Sequence, residues 1–237
     1  MDYRPSTKNA LRFCIITPDR NDRPELLNHC VWQMSKQTLQ PGKHYIVNWP
    51  EIAEKVKTPD LTPRVHAGIK QAIADGFEHA FIIENDDYYP PNYLKTMYNL
   101  IVNAGTDFVG IDKTIFYMIQ KANYFVHNHP GRSSLFCTGF KLSAMENFPW
   151  PAMSCLYLDM KIWDYAKTKT CSFFNFQYPG IFNTWAYPIG IKHGTGFSPG
   201  TGHHNEMVNT IPDTDYNGLR KYVSPETFKF YKQHFNI

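Results

Sequence analysis

His79-Ala80-Phe81-Ile82-Ile83-Glu84-Asn85-Asp86-Asp87-Tyr88-Tyr89-Pro90-Pro91 is the stretch that decides how this chain is read. Ala80 to Ile83 is a short apolar run, the pattern of a strand buried on both faces in a mostly parallel sheet. The run stops in three carboxylates within four residues, Glu84, Asp86 and Asp87. Two prolines follow, and Pro91-Asn92-Tyr93-Leu94 opens a helix, since proline is tolerated in a first turn. In open α/β sheets, ligands bind beyond the carboxyl ends of the strands. Like charges this close raise one another's pKa and destabilise the fold unless something positive offsets them. A divalent cation would do so at Glu84 and Asp86, because Mg²⁺ and Mn²⁺ take oxygen ligands and share their shell with substrate phosphates. The plainer alternative is a solvated acidic turn.

The residues around this stretch resemble a known family. Phe81 to Leu94 is similar to the strand, acidic motif and following helix of GT-A glycosyltransferases, especially the inverting family 2-like group. The Asp-X-Asp of that family stands here as Glu84-Asn85-Asp86, with a glutamate one methylene longer in the first place. Ile15 to Leu27 resembles the family's first strand, donor-binding loop and first helix. Thr17-Pro18 and Arg23-Pro24-Glu25-Leu26-Leu27 fit, while Asp19-Arg20-Asn21-Asp22 between them is longer than usual. The likeness covers Leu11 to Asp112 well and Leu135 to Gly202 more loosely. It implies a single α/β domain over residues 1–237, a GT-A-like (Rossmann-like) three-layer sandwich with a mostly parallel central sheet. Residues 1–112 would bind the nucleotide sugar, and residues 113–237 would form the acceptor half with a C-terminal loop and helix.

The same resemblance implies roles. Thr17, Pro18 and Arg20 lie near the nucleotide. Asn48 stands where the family has a base-recognising acid, and an amide can donate to and accept from a pyrimidine edge. Arg64, at a helix start, meets donor phosphate or ribose, and Glu84 and Asn85 belong to the nucleotide-sugar site. Asp86, His193 and Glu84 are the implied ligands of Mn²⁺ or Mg²⁺. Thr138 and Gly139 lie beside the sugar, where a glycine allows close approach. Asp159 is the implied general base, although the family's preceding acid is Leu158 here; Asp164 is the lesser candidate. The implied reaction moves a sugar from a nucleotide sugar, a UDP-sugar first among them, to an acceptor hydroxyl with inversion. The acceptor stays open between a glycan and a hydroxymethylated base in DNA, as in some phage enzymes. In the DNA case Lys161, Lys167, Lys169, Lys192, Arg220 and Lys221 would contact phosphates; otherwise they form a solvated face. A nucleotidyltransferase shares the sheet and the carboxylates, but wants a glycine- and Lys/Arg-rich loop after the first strand, and Pro18 to Asp22 has no glycine. A non-catalytic nucleotide-sugar-binding module is the other alternative.

Composition sets the bounds. The 237 residues are enough for one α/β domain of ordinary core size. With 43% hydrophobic and 19% charged residues, the chain is globular rather than disordered. A net charge of +3 permits an anionic donor or nucleic acid without requiring either. Five cysteines, an odd number with no C-x-x-C pair, point to reduced thiols. The polar start lacks an apolar signal core, and no run approaches the roughly 18 apolar residues of a membrane span. The expectation is a soluble cytoplasmic protein, in the host cytoplasm if viral, with no stable membrane insertion.

Outward from the acidic stretch, Leu11 to Thr17, Lys43 to Asn48, Asp107 to Gly110 and Leu135 to Phe140 read as strands. Ile115 to Ile119 and Tyr124 to Val126 read as a hairpin. Helices are expected from Arg23, with Asp22 as cap, over Arg64 to Asp75, and from Tyr157. Ser224 caps a closing helix to Phe235, and Val208 to Asn217 reads as polar turns. Ala186 to Lys192 reads as a strand that delivers His193 to a glycine-rich loop ending in His203-His204. His127 and His129 read as a surface turn. A zinc site from His193, His203 and His204 has no cysteine or acid at ligand spacing to support it.

Overall fold

A computed structural model describes residues 12–49, 51–52, 59–174, 187–194 and 209–237. The glycine-rich loop before His203-His204, and those two histidines, lie outside the described residues.

The central sheet has six strands: β1 (Phe13–Pro18), β2 (Lys43–Val47), β3 (His79–Ile82), β4 (Phe108–Gly110), β7 (Gly139–Lys141) and β8 (Cys171–Phe173). Their order is β2-β1-β3-β7-β4-β8. β1 pairs in parallel with β2 and β3, and β4 with β8, while β7 runs antiparallel to β3 and β4. Five strands therefore point the same way, and the sheet is mixed α/β and mostly parallel. A second sheet, ordered β10-β6-β5-β9, is built from β5 (Lys113–Met118), β6 (Asn123–Asn128), β9 (Ile189–Lys192) and β10 (Ile211–Pro212).

Strand alternation sorts the core into layers. Cys14, Ile16, Ala80 and Ile82 face one side, where α2 (Leu61–Ala74) and α5 (Leu158–Ala166) cover them. Phe13, Ile15, Phe81 and Ile83 face the other, against α1 (Pro24–Ser35) and α3 (Tyr93–Ala104). These inward side chains are fully buried, as the apolar run after His79 requires. A third cluster joins the second sheet to Leu26 of α1 and to the C-terminal helices α6 (Asn217–Tyr222) and α7 (Pro225–Phe235). A further short helix is α4 (Leu142–Met145). Among the described residues no helix is long and apolar enough to cross a membrane. All five cysteines are free, and Cys14, Cys30 and Cys137 are buried.

Several expected elements change at their ends. The strand expected over Leu135 to Phe140 is a 3₁₀ turn at Leu135–Cys137 followed by the short β7. Side-chain hydroxyls explain this: Thr138 Oγ1 donates to the Ser134 carbonyl at 2.8 Å and Ser133 Oγ to the Cys137 carbonyl at 3.1 Å. Such local bonds compete with a strand ladder. Asp22 does not cap α1; the cap position is Arg23, with no side-chain cap bond. Ser224 caps α7 as expected, accepting from the Thr227 amide at 3.2 Å. The short strands β8 and β10 and the helix α6 carry too few residues to show a periodicity.

Gly139 is buried in β7, and the space a side chain would need is filled by the Phe81 ring and by Val109. The residue is a glycine because β3 and β7 approach under a large aromatic. Gly139→Ala is expected to cost about 1–3 kcal/mol through overpacking. Chemical denaturation checks it: a lowered midpoint at unchanged slope is predicted, and an unchanged midpoint would show that Phe81 can turn aside.

Candidate active site

The tip of β3 is held from two directions. Gln33 and Gln37, one turn apart at the end of α1 and just beyond it, clamp the chain that follows the acids. Gln33 donates to the Asp87 carbonyl at 3.1 Å and accepts from the Tyr89 amide at 2.8 Å. Gln37 donates to the Pro90 carbonyl at 2.9 Å and accepts from the Leu94 amide at 3.0 Å. On the other side, Tyr88 and Ile189 exchange backbone bonds at 3.0 Å, and Asp87 Oδ1 accepts from the Ile191 amide at 2.7 Å. β9 is thereby fixed against the tip, and the residues at its end, Lys192 and His193, come to the carboxylates.

A chain of polar contacts then crosses the site. Asp19, in the loop after β1, accepts from Asn85 Nδ2 at 2.6 Å. Asn85 Oδ1 accepts from Arg23 Nη2 at 2.9 Å. Arg23 Nη1 donates to Asp86 Oδ2 at 2.6 Å, and His193 Nε2 stands 3.0 Å from the same oxygen. Nη1 and Nε2 are 3.2 Å apart. One imidazole N–H and one guanidinium N–H thus converge on a single carboxylate oxygen, a charge-assisted arrangement. Arg23 joins the β1–α1 loop to β3 and to the end of β9, a role that sequence reasoning missed. Arg23-Pro24-Glu25-Leu26-Leu27 fits the family's text as a whole, but nothing in it singles out the arginine.

The electrostatics follow from burial. Burial first, then the charge of Asp86 and more weakly that of Asp159, push Glu84 above its ordinary carboxylate range, against Lys192 and Arg23. Burial also raises Asp87 well above that range, with Asp86 adding to it. Burial would raise Asp86 too, but Arg23 and then His193 outweigh it and hold Asp86 below the ordinary range. Lys192 loses by burial and gains more from Asp87, Glu84 and Asp86, so its pKa rises. Its ammonium also lies over the Phe116 ring, 5.1 Å from the centroid. Three acids therefore face two cations, Arg23 and Lys192.

The other expected site residues have the following surroundings. Thr17 is fully buried, with Oγ1 hydrogen-bonded to His44 Nε2 at 2.8 Å, and Pro18 ends β1. Arg20 pairs with Asp60 at 3.5 Å. Arg64 is buried, donating to Asp60 at 2.9 Å and to the Val47 carbonyl at 3.0 Å. From the first turn of α2 it holds the end of β2. Asn48 follows directly on that strand end. Thr138 is fully buried, donating to Ser134 and accepting from Trp163 Nε1 at 3.0 Å. The hydroxyl of Thr138 and the space at Gly139 are thus taken up by the fold. Asp159 lies in the first turn of α5, 3.5 Å from Arg132 Nη1. Its charge adds a small part of the rise in Glu84. Asp164 is exposed and paired with Lys167 at 2.7 Å. Lys192 belongs to the acid cluster, Lys169 lies over Tyr165 and Arg220 over Phe228.

The donor set decides whether the implied metal fits. Asp86 and His193 do come together, but Glu84 does not complete a ligand group with them. Among the described residues no three His, Cys, Asp or Glu side chains gather as metal ligands. Arg23 Nη1 sits against both donors that do converge. The set does not fit a divalent cation.

No family model matches the chain, and no curated protein matches it. Among solved structures it is similar to S. aureus TarS. TarS 1–349 in complex with UDP-GlcNAc matches at 17% identity and a TM-score of 0.48, over 78% of this chain and 59% of that one. TarS 1–349 in complex with UDP matches at 15% identity and a TM-score of 0.46, over 76% and 60%. A further TarS structure matches at 16% and 0.43, over 76% and 37%. The chain thus spans about 60% of the length of the 349-residue TarS structures.

His44, behind the site, carries a pH consequence. Burial lowers its pKa from 6.5 to about 4. The unfolded chain therefore takes up the proton first. The stabilisation is fully present above about pH 6.5 and is lost as pH falls toward about 4, to an extent of up to about 3 kcal/mol. Denaturation midpoints measured from pH 7 to pH 4 are expected to fall less steeply in His44→Asn than in the wild type. Parallel curves would contradict this.

Proposed function

We propose that this protein is a glycosyltransferase that moves a sugar from a nucleotide diphosphate sugar to an acceptor hydroxyl, with inversion. The observation that carries the reading is the convergence of Arg23 and Lys192, far apart in the chain, on the tip of a buried strand. The charge of Asp159, on α5, reaches Glu84 at that tip.

The chemistry asks for two things of the residues present. The diphosphate leaves with the electron pair of the C1–O bond and so gains negative charge. Fixed cations in a site of low dielectric stabilise that charge better than water does, because they need not reorient. The acceptor hydroxyl forms the new bond to C1 from the opposite face and must lose its proton. Asp159 is the proposed base that takes it, with Arg132 holding the carboxylate in place. Leu156, Tyr157 and Met160 are exposed around Asp159. An apolar rim of this kind suits the face of a sugar ring, which favours a glycan acceptor. Asn48, after β2, and Asp19 and Arg20, after β1, lie beyond the strand ends, where the base and ribose are placed in this proposal.

Asp159→Asn keeps the size of the side chain and removes the base. Transfer is expected to fall by roughly 10²–10⁴-fold, while nucleotide-sugar affinity stays within about twofold. Calorimetric titration and a product assay on a panel of nucleotide sugars measure both. Wild-type turnover in the variant would remove Asp159 from the mechanism.

A further inference from the structure

The acidic tip resembles a metal seat in sequence, yet its cation is already part of the chain. Asp86 Oδ2 and His193 Nε2 are 3.0 Å apart, and Arg23 Nη1 closes the triangle at 2.6 Å and 3.2 Å. A divalent ion held by both donors would need that same position. It would also need the lone pair of Nε2, the nitrogen that stands against both Asp86 and Arg23. Arg23 is not a passing surface side chain. Asn85 grips its second nitrogen at 2.9 Å, and Asn85 is itself tied to buried Asp19 at 2.6 Å. To vacate the seat, the guanidinium would have to break both bonds and strand Asp86.

A second observation points to a ligand. Arg23 Nε is buried and has no hydrogen-bond acceptor among the described residues; the Asp22 carboxylate stands off at 3.7 Å. Guanidinium has five N–H donors in a fixed fork. Two of them hold Asp86 and Asn85, and the Nε–H is left with an unmet bond, which is costly when buried. Lys192 brings a second cation, its ammonium, to the same tip, over Phe116. An anion with several acceptor oxygens would satisfy both, and a diphosphate has that chemistry.

We propose that Arg23, with Lys192, takes the place of a divalent cation, so that donor binding and sugar transfer in this protein proceed without metal. This rests on the transferase reading above. In the step itself the C1–O bond to the diphosphate breaks, the acceptor O–C1 bond forms, and the acceptor proton passes to Asp159. The charge gained by the leaving diphosphate is met by the Arg23 fork and the Lys192 ammonium. Arg23 is then a catalytic residue, since it touches the leaving group.

The test has two arms on the full chain. In the first, Mn²⁺ binding is followed by electron paramagnetic resonance, with no nucleotide present. The wild type is expected to take up no Mn²⁺, whereas Arg23→Ala, which frees Asp86 and His193, is expected to bind it. Tight Mn²⁺ binding by the wild type would overturn the inference. In the second, UDP, GDP, ADP and dTDP are titrated calorimetrically with Mn²⁺ and with EDTA. At least one is expected to bind equally, within about twofold, in both. Arg23→Lys, which keeps the charge and loses the fork, is expected to weaken that binding about tenfold or more. Binding that requires Mn²⁺ would overturn the metal-free inference and leave the transferase reading standing. Binding of none under either condition would overturn the transferase reading, and this inference with it. Should Arg23→Ala fail to fold, the wild-type measurements and Arg23→Lys still decide the matter.

Discussion

The ion pair between Arg23 and Asp86 is the contact on which the rest of the site depends. It draws the loop after β1, the tip of β3 and the end of β9 to one point. Both side chains are about one-fifth exposed, so the pair is screened only in part. Removing one partner of a pair this enclosed leaves the other charge uncompensated, an effect of about 3–5 kcal/mol for fully buried pairs and less here. The surrounding acids sharpen the point. Glu84 and Asp87 are both held above their ordinary range by burial and by the neighbouring carboxylates, whereas Arg23 and His193 hold Asp86 below it.

The position of the tip has its own source. The segment after the acids contains Tyr88, Tyr89 and two prolines, and among the described residues its backbone groups have a strand partner only at Tyr88. Gln33 and Gln37 supply the missing partners, and both side chains are nearly fully buried. Tyr89 adds a bond, its hydroxyl accepting from the Glu84 amide at 2.8 Å. Glutamines one helical turn apart thus do for an irregular segment what a neighbouring strand does for a regular one. The core on either side of β1 and β3 then carries the position of the tip into the body of the sheet.

Much of this was legible in the residue order. The buried strand before Glu84, the helix after Pro91 and the capped helix from Ser224 follow from local patterning and turn chemistry, and they stand where that patterning puts them. The approach of His193 to Asp86 was legible only through the family resemblance, because the two are far apart in the chain. Arg23 was not legible as a site residue. Nothing local distinguishes an arginine before Pro-Glu-Leu-Leu from a solvated one, and its role appears only when β1, β3 and β9 are brought together. Arg64 shows the same limit in reverse. The resemblance placed it beside the donor, and no spacing in the sequence shows its burial against Asp60 and the end of β2. Gly139 and Thr138 likewise answer to Phe81 and Trp163, partners that no spacing in the sequence reveals.

The central claim is that the tip of β3, with Arg23 and Lys192, forms one seat for a diphosphate. A crystal structure of the protein grown with a nucleoside diphosphate in the presence of EDTA tests it most directly. Diphosphate oxygens are predicted within hydrogen-bonding distance of Arg23 and Lys192, with the Arg23–Asp86 bond intact. A diphosphate bound away from both residues, or an Arg23 swung out to solvent, would contradict the claim.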